Sequence, residues 1–208
     1  MSKADEEILD HVSCFHDTGL YIPTRTIKLE SALNDEDGEE HGVGYSMSSK
    51  FLKNLAILES LGQDPINVIL STGGGDVWEG LAIYDAIRRA KSPISIKVYG
   101  KAMSMGSIIL QAGDERVLSP HSMVVCHSGL TSGITANPYE SKNFVEFDFK
   151  VGALADKILL DRINEKREAM NQAPMAKHTF ESMLLKGKYM TAQEAVDLGL
   201  ADRIDDDE

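Results

Sequence analysis

Three short stretches carry residue types that can do chemistry. In the first, Ser104 stands in Ala102-Met103-Ser104-Met105-Gly106. A serine between small residues on a strand-to-helix turn is the pattern of a nucleophile elbow, Gly-x-Ser-x-Gly, here with alanine at the first glycine position. The small flanks matter because the turn is tight and a bulky neighbour would clash. A helix starting at Met105 puts the serine at its N-terminus, where free backbone N–H groups and the positive helix end favour a developing oxyanion. The same place also suits an ordinary N-cap, and spacing alone leaves both readings open.

A serine hydroxyl hardly ionises at neutral pH, so a nucleophilic serine needs a base. His127 ends the apolar run Met123-Val124-Val125-Cys126. It is the one histidine of six that sits on a strand end within this unit. His11 and His16 fall near the N-terminus, His41 in an acidic loop, His121 after Pro120, and His178 far downstream. A strand-end histidine also fits a purely structural, hydrogen-bonded role. Cys126 points to the opposite face of the strand and reads as core packing.

The third stretch is the glycine turn Ser71-Thr72-Gly73-Gly74-Gly75-Asp76, after the strand-like Ile66–Leu70. A phosphate loop is excluded. No Gly-Lys-Ser/Thr follows, and Trp78 occupies the place of the last glycine in Gly-x-Gly-x-x-Gly. Asp76 would also repel an anion. What remains is a plain strand-to-helix turn, or glycines that let backbone N–H groups face a reacting carbonyl oxygen. Taken together, the donors, nucleophile and base read as a serine hydrolase site.

Such residues act together only if regular elements bring them together. Tyr45–Leu61 has helical spacing, with Phe51, Leu52, Leu55, Leu58 and Leu61 on one face and Gly62 as a stop. Val77–Ala90 is helical, with Val77, Leu81, Tyr84 and Ile87 on a stripe. Thr26–Leu29 and Ile94–Tyr99 alternate as strands, Met105–Gln111 is a short apolar helix, and Arg116–Leu118 and Met123–Cys126 are strand pieces. Strands alternating with helices imply βα units around a largely parallel sheet. Asn137-Pro138-Tyr139-Glu140 opens a long helix, with Phe144, Phe147, Val151, Leu154, Ile158 and Leu159 on its stripe, broken at Asn171–Pro174. Thr191-Ala192-Gln193-Glu194 is a capping box for a last helix ending at Gly199, and Leu200–Ile204 reads as a final strand. Residues 1–20 show no sustained period and read as a mobile arm, residues 21–204 as a single domain, and residues 205–208 as an acidic tail.

The totals narrow the class. The chain has 208 residues, 42% hydrophobic and 26% charged, as expected of a soluble globular protein. No apolar run approaches the roughly 20 residues of a membrane span, and the acidic start is not a secretory signal. A net charge of −12 argues against nucleic acid or anionic membrane as the partner. Cys14 and Cys126 do not form a disulfide framework, which fits a reducing cytoplasm. The acidic loop Asn34–Gly42 lacks the ordered ligand pattern of a calcium hand, so no metal is expected.

At these residues the chain resembles the ClpP family of serine peptidases (peptidase family S14), the proteolytic subunit of the caseinolytic (Clp) ATP-dependent protease. The resemblance lies in Ser71–Gly75 with Gly80-Leu81-Ala82-Ile83-Tyr84-Asp85, in Ala102–Gly106, in Met123–His127, and in Thr191–Ala195 with Leu198-Gly199-Leu200. It spans about residues 22–204. It implies an α/β, crotonase-like head of repeated βα units with a protruding helical handle at about 129–170, its helix being Tyr139–Met170. It implies Ser104 as nucleophile, His127 as general base and then acid, and the N–H groups of Gly75 and Met105 as oxyanion hole. Gly129–Gly133 would hold a substrate strand by edge pairing. The implied function is serine endopeptidase, hydrolysing unfolded polypeptides inside stacked heptameric rings, a tetradecamer, fed by an AAA+ Clp unfoldase. No cofactor is expected in this chain, because ATP would be used by the unfoldase.

Three departures from the family pattern stand out. Gly73 replaces a proline, Ser128-Gly129 replaces Gln-Pro after the histidine, and the family's aspartate falls on Met183, which cannot orient a histidine. Glu181, Asp148, an amide or a plain dyad are the replacements this leaves. The alternative function is a weakly active or regulatory ring subunit that co-assembles with an active homologue. A crotonase-type acyl-CoA enzyme on the same fold is disfavoured by Ser104 and His127.

Overall fold

The computed structural model describes residues 3–33, 40–129 and 137–205. In chain order it runs α1 (Lys3–Thr18), β1 (Leu20–Tyr21), β2 (Thr26–Glu30), β3 (Ala32–Leu33), β4 (Glu40–His41), α2 (Tyr45–Leu61), β5 (Ile66–Thr72), α3 (Val77–Arg89), β6 (Ile94–Met103), α4 (Met105–Leu110), β7 (Glu115–Leu118), β8 (Met123–Cys126), α5 (Pro138–Ala169), α6 (Lys177–Leu185), β9 (Lys188–Thr191), α7 (Ala192–Leu198) and β10 (Arg203–Ile204). Among the described residues, no helix is long and apolar enough to cross a membrane.

The main sheet follows the order β1-β2-β5-β6-β7-β10, and β8 and β9 join through the far half of β6. Every pairing in it is parallel except β1–β2 and β8–β9. β6 is the hinge of the design. Its first half, Ser95–Val98, pairs with β7, and its second half, Lys101–Met103, pairs with β8. Between them Gly100 adopts φ +76, a conformation glycine takes at little steric cost. The opposite partner, β5, shifts register between Leu70 and Thr72. The strand thereby keeps β5 as one neighbour and exchanges the other, from β7 to β8.

Helices cover one face of the parallel strands, so β5 and β6 bury the alternate residues Ile66, Val68, Leu70, Ile94, Ile96 and Val98 almost completely, while Asn67 and Tyr99 on the other face are exposed. Phe51, Leu55 and Leu58 of α2, and Ile83 and Ile87 of α3, pack on them. Two sequence expectations need correcting here. Leu52 and Leu61 of α2 are exposed, and Ile83 rather than Leu81 is the fully buried residue of α3. At 100° per residue the core contact covers a narrower arc than the run of apolar positions suggests.

Residues 1–20 are corrected as well. Where no sustained period was expected, Lys3–Thr18 forms a helix closed by Gly19 at φ +74, whose N–H donates to the Phe15 carbonyl. Cys14 near its end packs on the core, and Phe15 meets Tyr21 edge-on, whereas Ile8, Leu9 and Val12 are exposed. Apolar positions that do not share one buried face produce no readable stripe.

The handle helix α5 starts at the predicted N-cap, with the Asn137 side chain accepting from the N–H groups of Tyr139 and Glu140. Val151, Leu159 and Ile163 are its buried residues, while Tyr139, Phe144, Phe147, Phe149 and Leu154 are exposed. A stack of Phe147 on Trp78, 5.4 Å apart and 14° from parallel, ties it to α3. The expected capping box on Thr191 and Glu194 is present. Helix α6 and strand β9 were not anticipated, because each is short and neither has a complete hydrophobic period.

Candidate active site

The three chemical stretches converge on the C-terminal edge of parallel strands. There β5 ends in the glycine turn, β6 in Ser104 and β8 in His127, as ligand sites of parallel sheets do. The parallel register pairs Ala102 with Val124 and Met103 with Val125. One step on, the N–H of Ser104 donates to the Val125 carbonyl at 2.8 Å. Ser104 and His127 are thus brought to neighbouring strand ends, both half-buried. Among the described residues the Ser104 hydroxyl makes no hydrogen bond to the His127 ring. Such bonds are often long in a free enzyme and tighten on substrate.

Ser104 has φ 53 and ψ −120, a conformation that costs a non-glycine residue about 1–3 kcal/mol. Its surroundings hold it there. A Cβ placed on Gly74 would lie 2.6 Å from Ser104 Cβ, and one on Gly106 would lie 2.6 Å from the Thr72 methyl. The small residues around the serine are therefore contacts of the elbow, as the Ala-x-Ser-x-Gly pattern suggested. The Ser104 carbonyl accepts from both Ser107 N–H, at 2.9 Å, and Ser107 Oγ, at 2.7 Å. This engages the start of α4, a helix buried throughout. Ser104 is its N-cap by position, but its side chain makes no capping bond, so the hydroxyl is not consumed by the role that spacing alone left open.

The glycine turn lies against this elbow. Val43 N–H donates to the Gly74 carbonyl, and Asp76 N–H donates to the Val43 carbonyl, each at 2.8 Å. This bridge uses the groups on either side of Gly75, at φ +152, and leaves its own N–H without a hydrogen-bond partner among the described residues, as is the N–H of Met105. A side chain on Gly75 would run into the Val43 backbone. Thr72 braces the turn from inside. Its Oγ1 accepts the Gly74 N–H at 3.1 Å and pairs with Ser31 Oγ at 2.8 Å. Asp76 caps α3 by accepting from Trp78 and Glu79 N–H, a role that the Asp-x-x-Glu spacing could have revealed.

Behind α4 a polar cluster fastens the elbow to the C-terminal segment. Gln111 Nε2 donates to the carbonyls of Ser107 and Leu200, and Arg116 donates to Gln111 Oε1, to the Gly199 carbonyl and to both oxygens of Asp202. Burial tends to raise the Asp202 carboxyl, but Arg116 and then Lys166 outweigh it and hold it at about 2. No sequence spacing links residues so far apart, so this support was not legible. Burial pushes the Cys126 thiol up to about 11, which keeps it protonated and unreactive at neutral pH, in line with core packing.

On its far side, His127 Nδ1 lies 2.6 Å from the Ser128 carbonyl oxygen. Met183 is half-buried against the core, and Glu181 pairs with Lys177 at 3.5 Å on a half-exposed face. Asp148 sits in α5. Of the stretch Gly129–Gly133, all but Gly129 lies outside the described residues, as does most of the acidic loop. Among the described residues there is no group of three or more His, Cys, Asp or Glu able to hold a metal ion.

Known proteins share the sequence pattern and the fold of this chain. The family model described as Clp protease matches residues 39–208. The chain is 31% identical over 169 residues to an ATP-dependent Clp protease proteolytic subunit of Deinococcus radiodurans, covering 79% of this chain and 76% of that one. It is 33% identical over 145 residues to the ATP-dependent Clp protease proteolytic subunit 2 of Prochlorococcus marinus, covering 67% of this chain and 65% of that relative. Its fold is that of a ClpP1 point mutant from Listeria monocytogenes, with a TM-score of 0.69 and 21% identity over 90% of this chain and 94% of the other. With a crotonase-like α/β head, a helical handle and these matches, the chain belongs to the Clp protease family.

Proposed function

We propose that this chain is a serine endopeptidase, the proteolytic subunit of an ATP-dependent Clp-type protease that cuts unfolded polypeptides into small peptides. Ser104 Oγ attacks the scissile carbonyl while its proton passes to Nε2 of His127. The tetrahedral oxyanion takes hydrogen bonds from the N–H groups of Gly75 and Met105. His127 then protonates the leaving amine, and the acyl group stays on Ser104. A water molecule, deprotonated by His127, releases the peptide and restores the serine. No cofactor takes part within this chain. ATP is used by a partner AAA+ unfoldase, and subunits assemble as stacked heptameric rings that enclose the sites. The two free thiols fit a reducing cytoplasm.

The observation that carries this reading is the hydrogen bond from Ser104 N–H to the Val125 carbonyl. It ties a strained serine turn to the strand that ends in His127. A fluorophosphonate probe tests it. Assembled protein is expected to label, and the label is expected to vanish in Ser104→Ala and weaken strongly in His127→Ala. Intact rings that do not label would overturn it.

A further inference from the structure

We propose that the backbone carbonyl of Ser128 orients the His127 ring, in the role a carboxylate would otherwise fill. The proposal rests on the reading of Ser104 and His127 as nucleophile and base. His127 Nδ1 and the Ser128 oxygen are 2.6 Å apart. A carbonyl oxygen only accepts, so this bond requires the hydrogen on Nδ1 and leaves Nε2 with a bare lone pair. That is the tautomer a base for Ser104 needs.

The carbonyl is itself held in place. The Ser128 N–H donates to the Leu184 carbonyl at 3.2 Å, and Leu184 is buried in the last turn of α6. Helix α6 therefore reaches the histidine through two hydrogen bonds in series, one between main chains and one from the imidazole ring to the Ser128 carbonyl. Its neighbouring side chain, Met183, is half-buried among apolar groups, and Glu181 is engaged with Lys177. A neutral acceptor fixes the ring as well as a carboxylate does. It stabilises the imidazolium of the transition state less, because it brings no full negative charge. Ser128 thus acts as a positioning residue through its main chain, and its side chain is not required.

The test replaces Gly129 with glycolic acid in the full-length, assembled protein. This turns the Ser128–Gly129 amide into an ester, whose carbonyl is a weaker acceptor. The expected result is a fall of about tenfold in kcat, as for a weakened neutral hydrogen bond, with KM nearly unchanged. Nitrogen-15 NMR of labelled histidine is expected to show His127 protonated on Nδ1 in the native protein and shifted toward the Nε2–H form in the ester. Glu181→Gln, Asp148→Asn and Asp156→Asn, the last a half-buried carboxylate of α5 that feels the charge of Glu181, are each expected to stay within about twofold in rate with the native tautomer. A native spectrum dominated by Nε2–H would overturn the proposal. So would a hundredfold loss with an altered tautomer in any one of those three variants. Failure of the underlying reading is separately visible, since fluorophosphonate labelling of Ser104 would then be absent whatever tautomer His127 shows.

Discussion

Gly74 lies so close to Ser104 that a methyl group on it would sit 2.6 Å from the serine Cβ and 2.7 Å from the Met103 carbonyl. The glycine turn and the nucleophile elbow are two halves of one tight contact, next in the chain to the proposed oxyanion-hole amides of Gly75 and Met105. Gly74 also has φ +98, which side chains rarely adopt. Gly74→Ala is therefore expected to cost about 2–5 kcal/mol of stability, from backbone strain and overpacking together. It should also abolish fluorophosphonate labelling in whatever fraction folds. Urea unfolding and labelling of the soluble fraction check this.

Thr72 braces that contact from inside through its hydroxyl, while its methyl fills the space beside Gly106. Thr72→Val keeps the shape and removes the hydrogen bonds. The Gly74 N–H and Ser31 Oγ then lose their partner, at a cost of about 1–3 kcal/mol. Because the turn carries Gly75, kcat should fall by about tenfold. Thr72→Ser should retain more activity than Thr72→Val. Steady-state kinetics on a fluorogenic peptide, beside unfolding midpoints, separate the two effects.

Arg116 is almost fully buried and Asp202 about a quarter exposed, joined at 2.8 Å. Asp202 has a folded-state value of about 2 against an ordinary 3.8. A depressed carboxylate stabilises the fold above its unfolded value, and that stability is lost as pH falls through the folded value. The difference in stability between native protein and Asp202→Asn should be full above about pH 4 and shrink as pH drops toward 2. Its size at neutral pH should be about 3 kcal/mol, since the variant leaves the Arg116 charge buried and poorly paired. Unfolding curves of both proteins across this range measure it.

The handle exposes Tyr139, Phe149 and Leu154 at 83%, 76% and 56% of their full surface. So many apolar groups on one helix point to contact with another subunit. Native mass spectrometry is expected to find a multi-subunit assembly, and the double change Tyr139→Glu with Phe149→Glu is expected to shift it to smaller species. A stable native monomer would contradict the assembly proposed above.

What the sequence determined by itself is local. Capping at Asn137 and Thr191, the glycine stops, the strand-like run Ile66–Leu70 and the small residues around Ser104 all depend on groups within a few positions along the chain. Hydrogen bonds and sterics at that range are the same in any fold. Ser104 and His127 were legible as candidates for the same reason, since each stands at a punctuated end of a regular element, whereas Gly75 and Met105 were singled out by the family resemblance.

Only the tertiary structure decided which ends meet. Past Gly100, β6 takes β8 as a second partner, and this pairing, not any spacing, ties Ser104 to Val125. The bonds from Arg116 to Asp202, from Ser128 to Leu184 and from Val43 to the Gly74 turn join residues far apart in the chain. Which face of α1, α2 or α5 is buried was likewise open until neighbouring elements were packed against it. Apolar periodicity records what a helix is able to bury, whereas burial itself depends on surfaces contributed by distant segments.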